Sequence, residues 1–338
     1  MKEVTGSGGV QMNYRSFGST GLKVSEIGLG CSHIGGGVIK KDTKESIRLL
    51  LRAFELGVNF YDSADTYTNG RSETLIGSAF KDRRSQIIIA SKVGMLPSSL
   101  YRLGKTLLPV LRPIRRVIEP WKSTLKKISK HTQEFSSLHI NKSIEQTLRR
   151  LKTDYLDLYQ LHSPASWVIE RGEVFETLDV LKRQGKIRFY GVSAKTVGDA
   201  ILCLKYINIS SLQIEFNLLQ QEASEELFPL LVQKKIAIIV RVPLARGLLT
   251  KNMIDKRGEV LNRRELQTAR AKVVGLSFLV NEKRALCQAA LQFVVSHPQV
   301  SVVIPGTSKV KHLEDNIRAL EAAPLTIEEI EKIAMLNQ

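Results

Sequence analysis

Four short stretches of the chain carry side chains able to move a proton onto an oxygen. They are Tyr61-Asp62-Ser63-Ala64-Asp65-Thr66-Tyr67, Ser91-Lys92-Val93-Gly94, Leu161-His162-Ser163-Pro164 and Gly191-Val192-Ser193. Each follows an apolar run, so each sits where a buried strand ends. Alone, a tyrosine there is ordinarily packing and a lysine ordinarily solvated. Together they have a chemical logic. An ammonium beside a phenol stabilises the phenolate and lowers a pKa that starts near ~10. A buried Lys92 needs an opposite charge, which Asp62 can supply. A histidine within reach, His162, orients a carbonyl or shares its proton. The set amounts to a general acid for delivering a proton to an oxygen.

Bringing these residues to one rim demands a regular order of elements. Short apolar runs at 26–30, 58–61, 86–91, 155–161, 187–192, 212–216, 237–240 and 300–304 read as buried strands. Each is followed by a stretch with helical spacing, at 43–56, 72–80, 140–151, 173–183, 197–206, 224–233, 282–296 and 310–320. Eight β-then-α units in series predict an α/β fold, a (β/α)8 TIM barrel rather than an open doubly wound sheet. Residues 14–17 and 22–25 form a hairpin ahead of it, across Gly18-Ser19-Thr20-Gly21. Long loops follow the third and seventh strands, and functional groups belong at the C-terminal mouth.

Length and composition agree. The 338 residues are 43% hydrophobic and 25% charged, enough for a sizeable core and far from a disordered composition. We expect one barrel domain over 1–338, with 1–12 as a flexible extension. Cys31, Cys203 and Cys287 are too scattered for a disulfide framework or a zinc site. His33, His131, His139 and His297 lack metal-ligand spacing, so no metal is expected. The first residues have no apolar signal-peptide core and no run reaches the ~18 apolar residues of a membrane span, so a cytoplasmic protein is expected. The charge is unusual: 50 Lys+Arg against 33 Asp+Glu give +17, which points to an anionic partner. No zinc-finger spacing, RNP motif or basic heptad accompanies it, so nucleic acid is not expected.

The motifs YRSFGSTGLKVSEIGLG, NFYDSADTY, ASKVG, SIEQTLRRLKTDYLDLYQLHSP, GKIRFYGVS, LQIEFNLL, VPLARGLLT and VIPGTSKVKHLEDNI occur in this order. From Tyr14 to Leu320 the chain resembles the aldo-keto reductase superfamily. The resemblance implies a catalytic tetrad of Asp62, Tyr67, Lys92 and His162. In it Tyr67 donates the proton, Lys92 paired with Asp62 tunes it, and His162 positions the carbonyl. It implies NADPH across the barrel mouth as the hydride source. Ser193 and Gln213 would hold the carboxamide, and Pro243, Leu244 and Gly247 lie in the stretch that covers the pyrophosphate. Gly306, Thr307, Ser308 and Lys309, with His312, Asp315 and Asn316, fall at the adenosine 2′-phosphate site.

Several positions depart from the family pattern. Ala194 stands where many members have asparagine, removing a carboxamide contact. Arg241 stands where the nicotinamide usually meets an aromatic ring; its planar guanidinium can also stack. Gly306 and His312 replace basic residues of the phosphate site, and Lys309 can compensate, which favours NADPH over NADH. Gly28 to Gly37 fails the spacing of a dinucleotide fingerprint and reads as a loop bordering the substrate.

The function expected is reduction of an aldehyde or ketone, a sugar or another metabolite carbonyl, to an alcohol. The alternative is a cofactor-binding regulatory or interaction subunit on the same barrel, since the superfamily includes channel-associated β-subunits. Residues 95–137 hold nine Lys/Arg against two Glu, and prolines 109, 113 and 120 forbid one long helix there. This insertion is expected to cap the site and engage an anionic substrate or partner: a nucleotide sugar, an acidic carrier protein or a membrane face.

Overall fold

The computed structural model describes residues 11–36, 42–96, 132–250, 268 and 271–336. An antiparallel hairpin, β1 (Tyr14–Ser16) and β2 (Lys23–Ser25), opens the fold. Strands β3 (Leu29–Gly30), β4 (Phe60–Asp62) and β5 (Ile88–Val93) follow, then a two-stranded ribbon of β6 (Met95–Leu96) and β7 (Thr132–Gln133). The rest are β8 (Leu156–His162), β9 (Ile187–Ser193), β10 (Ser211–Glu215), β11 (Ala237–Arg241) and β12 (Val300–Ile304). Eight of these form one parallel sheet in the order β3-β4-β5-β8-β9-β10-β11-β12. Ile27 and Gly30 bridge in parallel to Val303 and Gly306, so the first strand meets the last. The fold is a (β/α)8 barrel, as the alternation of apolar runs and amphipathic stretches predicts.

Alternate residues of each strand face the barrel interior. Phe60, Ile88, Ala90, Leu158, Ala237, Ile239, Val302 and Ile304 fill it, and Phe17 and Val24 of the hairpin belong to the same cluster. The hairpin thus closes the N-terminal end. Arg15 secures it by donating to the carbonyls of Val295, His297 and Val300 and pairing with Glu26. The opposite parity, with Tyr61, Ile89, Tyr159, Leu161 and Ile238, packs under the helices. Burial on both faces explains why these strands read as continuous apolar runs.

The helices are α1 (Asp42–Glu55), α2 (Arg71–Ala79), α3 (Ser137–Leu151), α4 (Ser166–Arg171), α5 (Glu173–Arg183) and α6 (Val197–Leu202). They continue with α7 (Glu222–Glu226), α8 (Phe228–Gln233), α9 (Leu286–Val295), α10 (Val310–Ile317) and α11 (Ile327–Met335). In α3, Ser136 caps the start by accepting the His139 N–H, and Ile140, Ile144, Leu148 and Leu151 form the buried stripe. The single helix expected at 224–233 is two, broken at Leu227, with Pro229 in the first turn of α8. The helix expected over 197–206 ends at Leu202 in a tighter turn. Among the described residues no helix is long and apolar enough to cross a membrane.

Residues 97–131 of the basic insertion lie outside the described residues, and with them the cap expected there. Its flanks are described. Gly94 enters the ribbon at φ +108°, and a Cβ there would lie 1.9 Å from the Phe135 ring, so only glycine fits. Glu134 N–H donates to the Gly94 carbonyl (2.9 Å), and the Gln133 amide donates to Ser163 O (2.6 Å). The insertion is therefore rooted at the C-terminal mouth, next to His162.

Candidate active site

The inward parity of the strands changes from apolar to polar one step from the C-terminal mouth. Above Phe60, Ala90, Leu158 and Ile239 come Asp62, Lys92, Gln160 and Arg241, joined by Ser193 and Gln213 from β9 and β10. Lys92 is wholly buried. Its ammonium donates to Asp62 Oδ2 (2.6 Å), to Ser63 O (2.8 Å) and to Tyr67 Oη (3.2 Å). That uses all three of its protons. The other oxygen of Asp62 accepts from the side-chain amides of Gln213 (2.9 Å) and Gln160 (3.2 Å). The buried charge of each partner is thereby met by the other and by fixed dipoles.

Tyr67 comes from the turn after β4. Thr68 and Asn69 adopt left-handed backbone there, at φ 49° and 57°. The Thr68 hydroxyl donates to Ile34 O (3.0 Å), tying this turn to the loop after β3. His162 stands edge-on to Tyr67, with ring centroids 6.0 Å apart. The four expected catalytic residues thus share one corner of the mouth. One expectation needs correcting. Lys92 does lower the Tyr67 pKa, but burial raises it more, and the phenol stays above its ordinary value. Lys92 itself is raised: burial pulls it down, and Asp62 and Tyr67 more than offset that.

Several groups here escaped the sequence reading. Gln160 lies two residues before His162, at the same inward parity, and that parity could have found it. Behind Tyr67 lies a second polar cluster. Glu73, fully buried, accepts from Ser91 Oγ (2.5 Å), Thr147 Oγ1 (3.1 Å) and Arg150 Nε (2.6 Å). Asp65 faces it with Oδ1 buried and without a hydrogen-bond partner among the described residues, as is the Tyr159 hydroxyl. Burial first, and then Glu73, push the Asp65 carboxyl up to about 7. No residue pattern announced this cluster, because its members come from five separate elements.

The remaining expected residues lie around the rim. Ser193 Oγ donates to Gln213 Oε1 (2.9 Å), so the two proposed carboxamide contacts form one chain leading to Asp62. Arg241 is held by Glu215 (3.1 Å) and Ala194 O (3.2 Å), its Nε buried with no partner among the described residues. Burial lowers its pKa and Glu215 opposes the shift. Val242, Ala245 and Arg246, around Pro243 and Leu244, all adopt positive φ. For a β-branched residue such as Val242 that is an outlier, of the kind that concentrates at functional sites. Gly247 closes the turn at φ 93°. Gly306, Ser308 and Lys309 are exposed at the end of β12, while Thr307 and Asn316 are buried and His312 is exposed. Asp315 is paired with Arg318 (3.0 Å). This stretch is separated from Ser193 and Gln213 by the end of β11.

These residues fit a dinucleotide. The close approach of Gly30 to Ile304 O, the exposed Lys309, the positive-φ backbone at Val242, Ala245 and Arg246, and an Arg241 Nε without a partner among the described residues all fall at the C-terminal ends of the barrel strands, the end that carries Asp62, Lys92 and Tyr67. Among the described residues, no group of three His, Cys, Asp or Glu is disposed to hold a metal.

A parallel barrel with the buried, hydrogen-bonded group Asp62, Lys92 and Tyr67 at its C-terminal mouth defines the class: a (β/α)8 barrel with ionisable side chains gathered where such barrels carry their sites. Comparison makes it specific. The model of the aldo/keto reductase family matches residues 26–338. A Bacillus subtilis protein named uncharacterized oxidoreductase YqkF is 32% identical over 332 residues, covering 95% of each chain. The holo form of aldo-keto reductase AKR11C1 from Bacillus halodurans is 31% identical, with 97% of both chains covered and a TM-score of 0.77. A probable voltage-gated potassium channel subunit beta of Oryza sativa subsp. japonica is 27% identical over 352 residues, 97% of each chain. The chain belongs to the aldo/keto reductase family and is an oxidoreductase of that family.

Proposed function

We propose that the protein reduces an aldehyde or ketone to an alcohol, with NADPH as hydride source and Tyr67 as general acid. One observation carries this: Lys92 Nζ touches both Asp62 Oδ2 (2.6 Å) and Tyr67 Oη (3.2 Å). The nicotinamide, when bound, supplies the hydride. Tyr67 supplies the proton that the carbonyl oxygen must gain. Its high pKa keeps it protonated until that moment, and Lys92 stabilises the phenolate left behind. Asp62, fixed by Gln160 and Gln213, holds Lys92 in place. His162, edge-on to Tyr67, orients the carbonyl oxygen.

Toward the cofactor, Ser193 and Gln213 would receive the carboxamide, and Arg241 would offer its guanidinium face to the ring. Pro243, Leu244 and Gly247 would cover the pyrophosphate. Gly306, Thr307, Ser308, Lys309, His312, Asp315 and Asn316 would take the adenosine end and its 2′-phosphate. Cys31, Cys203 and Cys287 are free thiols, which suits a reducing cytoplasm.

A second reading, a cofactor-binding subunit of a larger assembly, is favoured by the likeness to a protein named as a potassium channel subunit and by the charge of +17. One assay separates the two. NADPH and NADH are each followed by absorbance against a panel of aldehydes and ketones. Turnover with NADPH preferred supports the reductase. Tight cofactor binding with no turnover on any carbonyl supports the subunit and rejects the reductase.

A further inference from the structure

The buried polar cluster behind Tyr67 has no part in the chemistry proposed above, yet it touches both halves of the acid–base pair from outside. Tyr67 opens a turn over residues 67–70 in which three successive residues are left-handed: Thr68 at φ 49°, Asn69 at φ 57° and Gly70 at φ 80°. Two of them are not glycine, and backbone of this kind persists only where its surroundings hold it. One hold is the Thr68 hydroxyl on Ile34 O (3.0 Å). Another is Arg150, reaching in from α3. A Cβ at Gly70 would lie 2.7 Å from Arg150 Cδ and 2.8 Å from its Nε, so the arginine side chain lies directly against the end of the Tyr67 turn.

Arg150 is itself anchored. Its Nε donates to Glu73 Oε2 (2.6 Å) and its Nη2 to Thr147 Oγ1 (3.2 Å). Glu73 lies in the first turn of α2, just beyond Gly70, and is fully buried. Its other oxygen accepts from Ser91 Oγ (2.5 Å) and Thr147 Oγ1 (3.1 Å). Ser91 directly precedes Lys92 in β5, on the opposite face of the strand. A continuous series of contacts, Gly70 to Arg150 to Glu73 to Ser91, therefore runs from the turn that carries Tyr67 to the strand that carries Lys92. Burying an ion pair is costly, and an apolar pair would fill the same space at less cost. What the charges add is a set of short directional bonds that fix distances.

We propose that Arg150 and Glu73 are positioning residues for the reduction, a buried brace that sets the distance between Tyr67 Oη and Lys92 Nζ; this rests on the reductase reading above. Both act through the backbone they hold. The Tyr67–Lys92 contact, at 3.2 Å, is already at the long end of the hydrogen-bond range. A displacement of the turn by about 1 Å would break it, and misplacement on that scale costs about 10²-fold in rate.

The test uses the full chain with NADPH and the best carbonyl of the panel. Arg150→Ala combined with Glu73→Gln removes the brace without leaving a lone buried charge. Arg150→Lys keeps a cation and a chain over Gly70, and Ser91→Ala cuts the tie to the strand of Lys92. Melting temperature and NADPH-binding stoichiometry report whether each is folded. The double variant is expected to lose about 10- to 100-fold in single-turnover rate while binding NADPH within about twofold of wild type. Its solvent isotope effect should rise, because a misplaced donor slows proton delivery relative to hydride transfer. Arg150→Lys should stay within about threefold of the wild-type rate, and Ser91→Ala should lose about fivefold with the same isotope signature. A folded double variant that reacts at the wild-type rate overturns the assignment. So does one whose rate and NADPH affinity fall together with an unchanged isotope effect, the mark of a merely structural pair. If the double variant does not fold, Ser91→Ala decides, and a wild-type rate in it overturns the assignment. If the wild-type chain binds NADPH and turns over no carbonyl, the reductase reading falls and takes the brace's role with it.

Discussion

Replacing Asp65 by asparagine should stabilise the protein in mild alkali and leave it unchanged in acid. The folded carboxyl titrates at about 7 instead of its ordinary 3.8, because burial and then Glu73 oppose its charge. Below 3.8 both folded and unfolded chains hold the proton, and the group makes no difference. Between 3.8 and 7 the unfolded chain ionises while the folded one does not, so stability falls as pH rises. Above 7 the whole loss is in force. At 1.36 kcal/mol per pH unit this window amounts to about 4 kcal/mol. Asp65 is partly exposed and Arg150 lies near, so about 2 kcal/mol is the discounted figure. Asparagine keeps the shape, cannot ionise, and offers an N–H near the Tyr159 hydroxyl, which has no partner among the described residues. At roughly 2 °C per kcal/mol for a chain of this size, the variant should melt about 4 °C higher at pH 8.5. The assay is thermal unfolding of both proteins from pH 4.5 to 8.5. A gap that does not widen with pH, or a variant less stable at pH 8.5, would refute the reasoning.

Two further substitutions probe the mouth. Lys92→Met strands the Asp62 carboxylate in the interior and should cost about 3–5 kcal/mol in urea unfolding. Adding Asp62→Asn should restore part of that, and additive losses would show that the two charges are not coupled. Gly94→Ala forces a side chain into the Phe135 ring at φ +108° and should destabilise by about 2 kcal/mol or more. A neutral effect would mean that the ribbon at the insertion's root repacks freely.

Much of this architecture was legible in the residues, for a physical reason. Parallel strands buried on both faces must be runs of Val, Ile and Leu, and each barrel helix needs one apolar stripe, so β5, β8, β12 and α5 stand out at nearly their true limits. Elements outside that repeat did not. Six-residue α4 is too short to show a period, and β6 pairs with β7 across a long insertion. For α11 a usable cue was present in Thr326 and Glu329, which form a capping box. In the site, Asp62, Tyr67, Lys92 and His162 could be named because strand ends are where a barrel displays chemistry. Gln160, Glu73 and Glu215 could not be named so easily: they act by holding other residues, and a holding role depends on contacts between distant segments. The pKa of Tyr67 was misjudged for the same reason, since the depth of burial that outweighs Lys92 is a property of the whole mouth.

The central claim is that Tyr67 delivers the proton, and replacing it by phenylalanine tests this most directly. Single-turnover reduction is measured with NADPH and the best carbonyl of the panel, with the Kd for NADPH determined alongside. Loss of a general acid predicts a rate about 10²–10⁴-fold lower with cofactor affinity within twofold of wild type. A Tyr67→Phe enzyme that reduces its substrate at the wild-type rate would contradict the account.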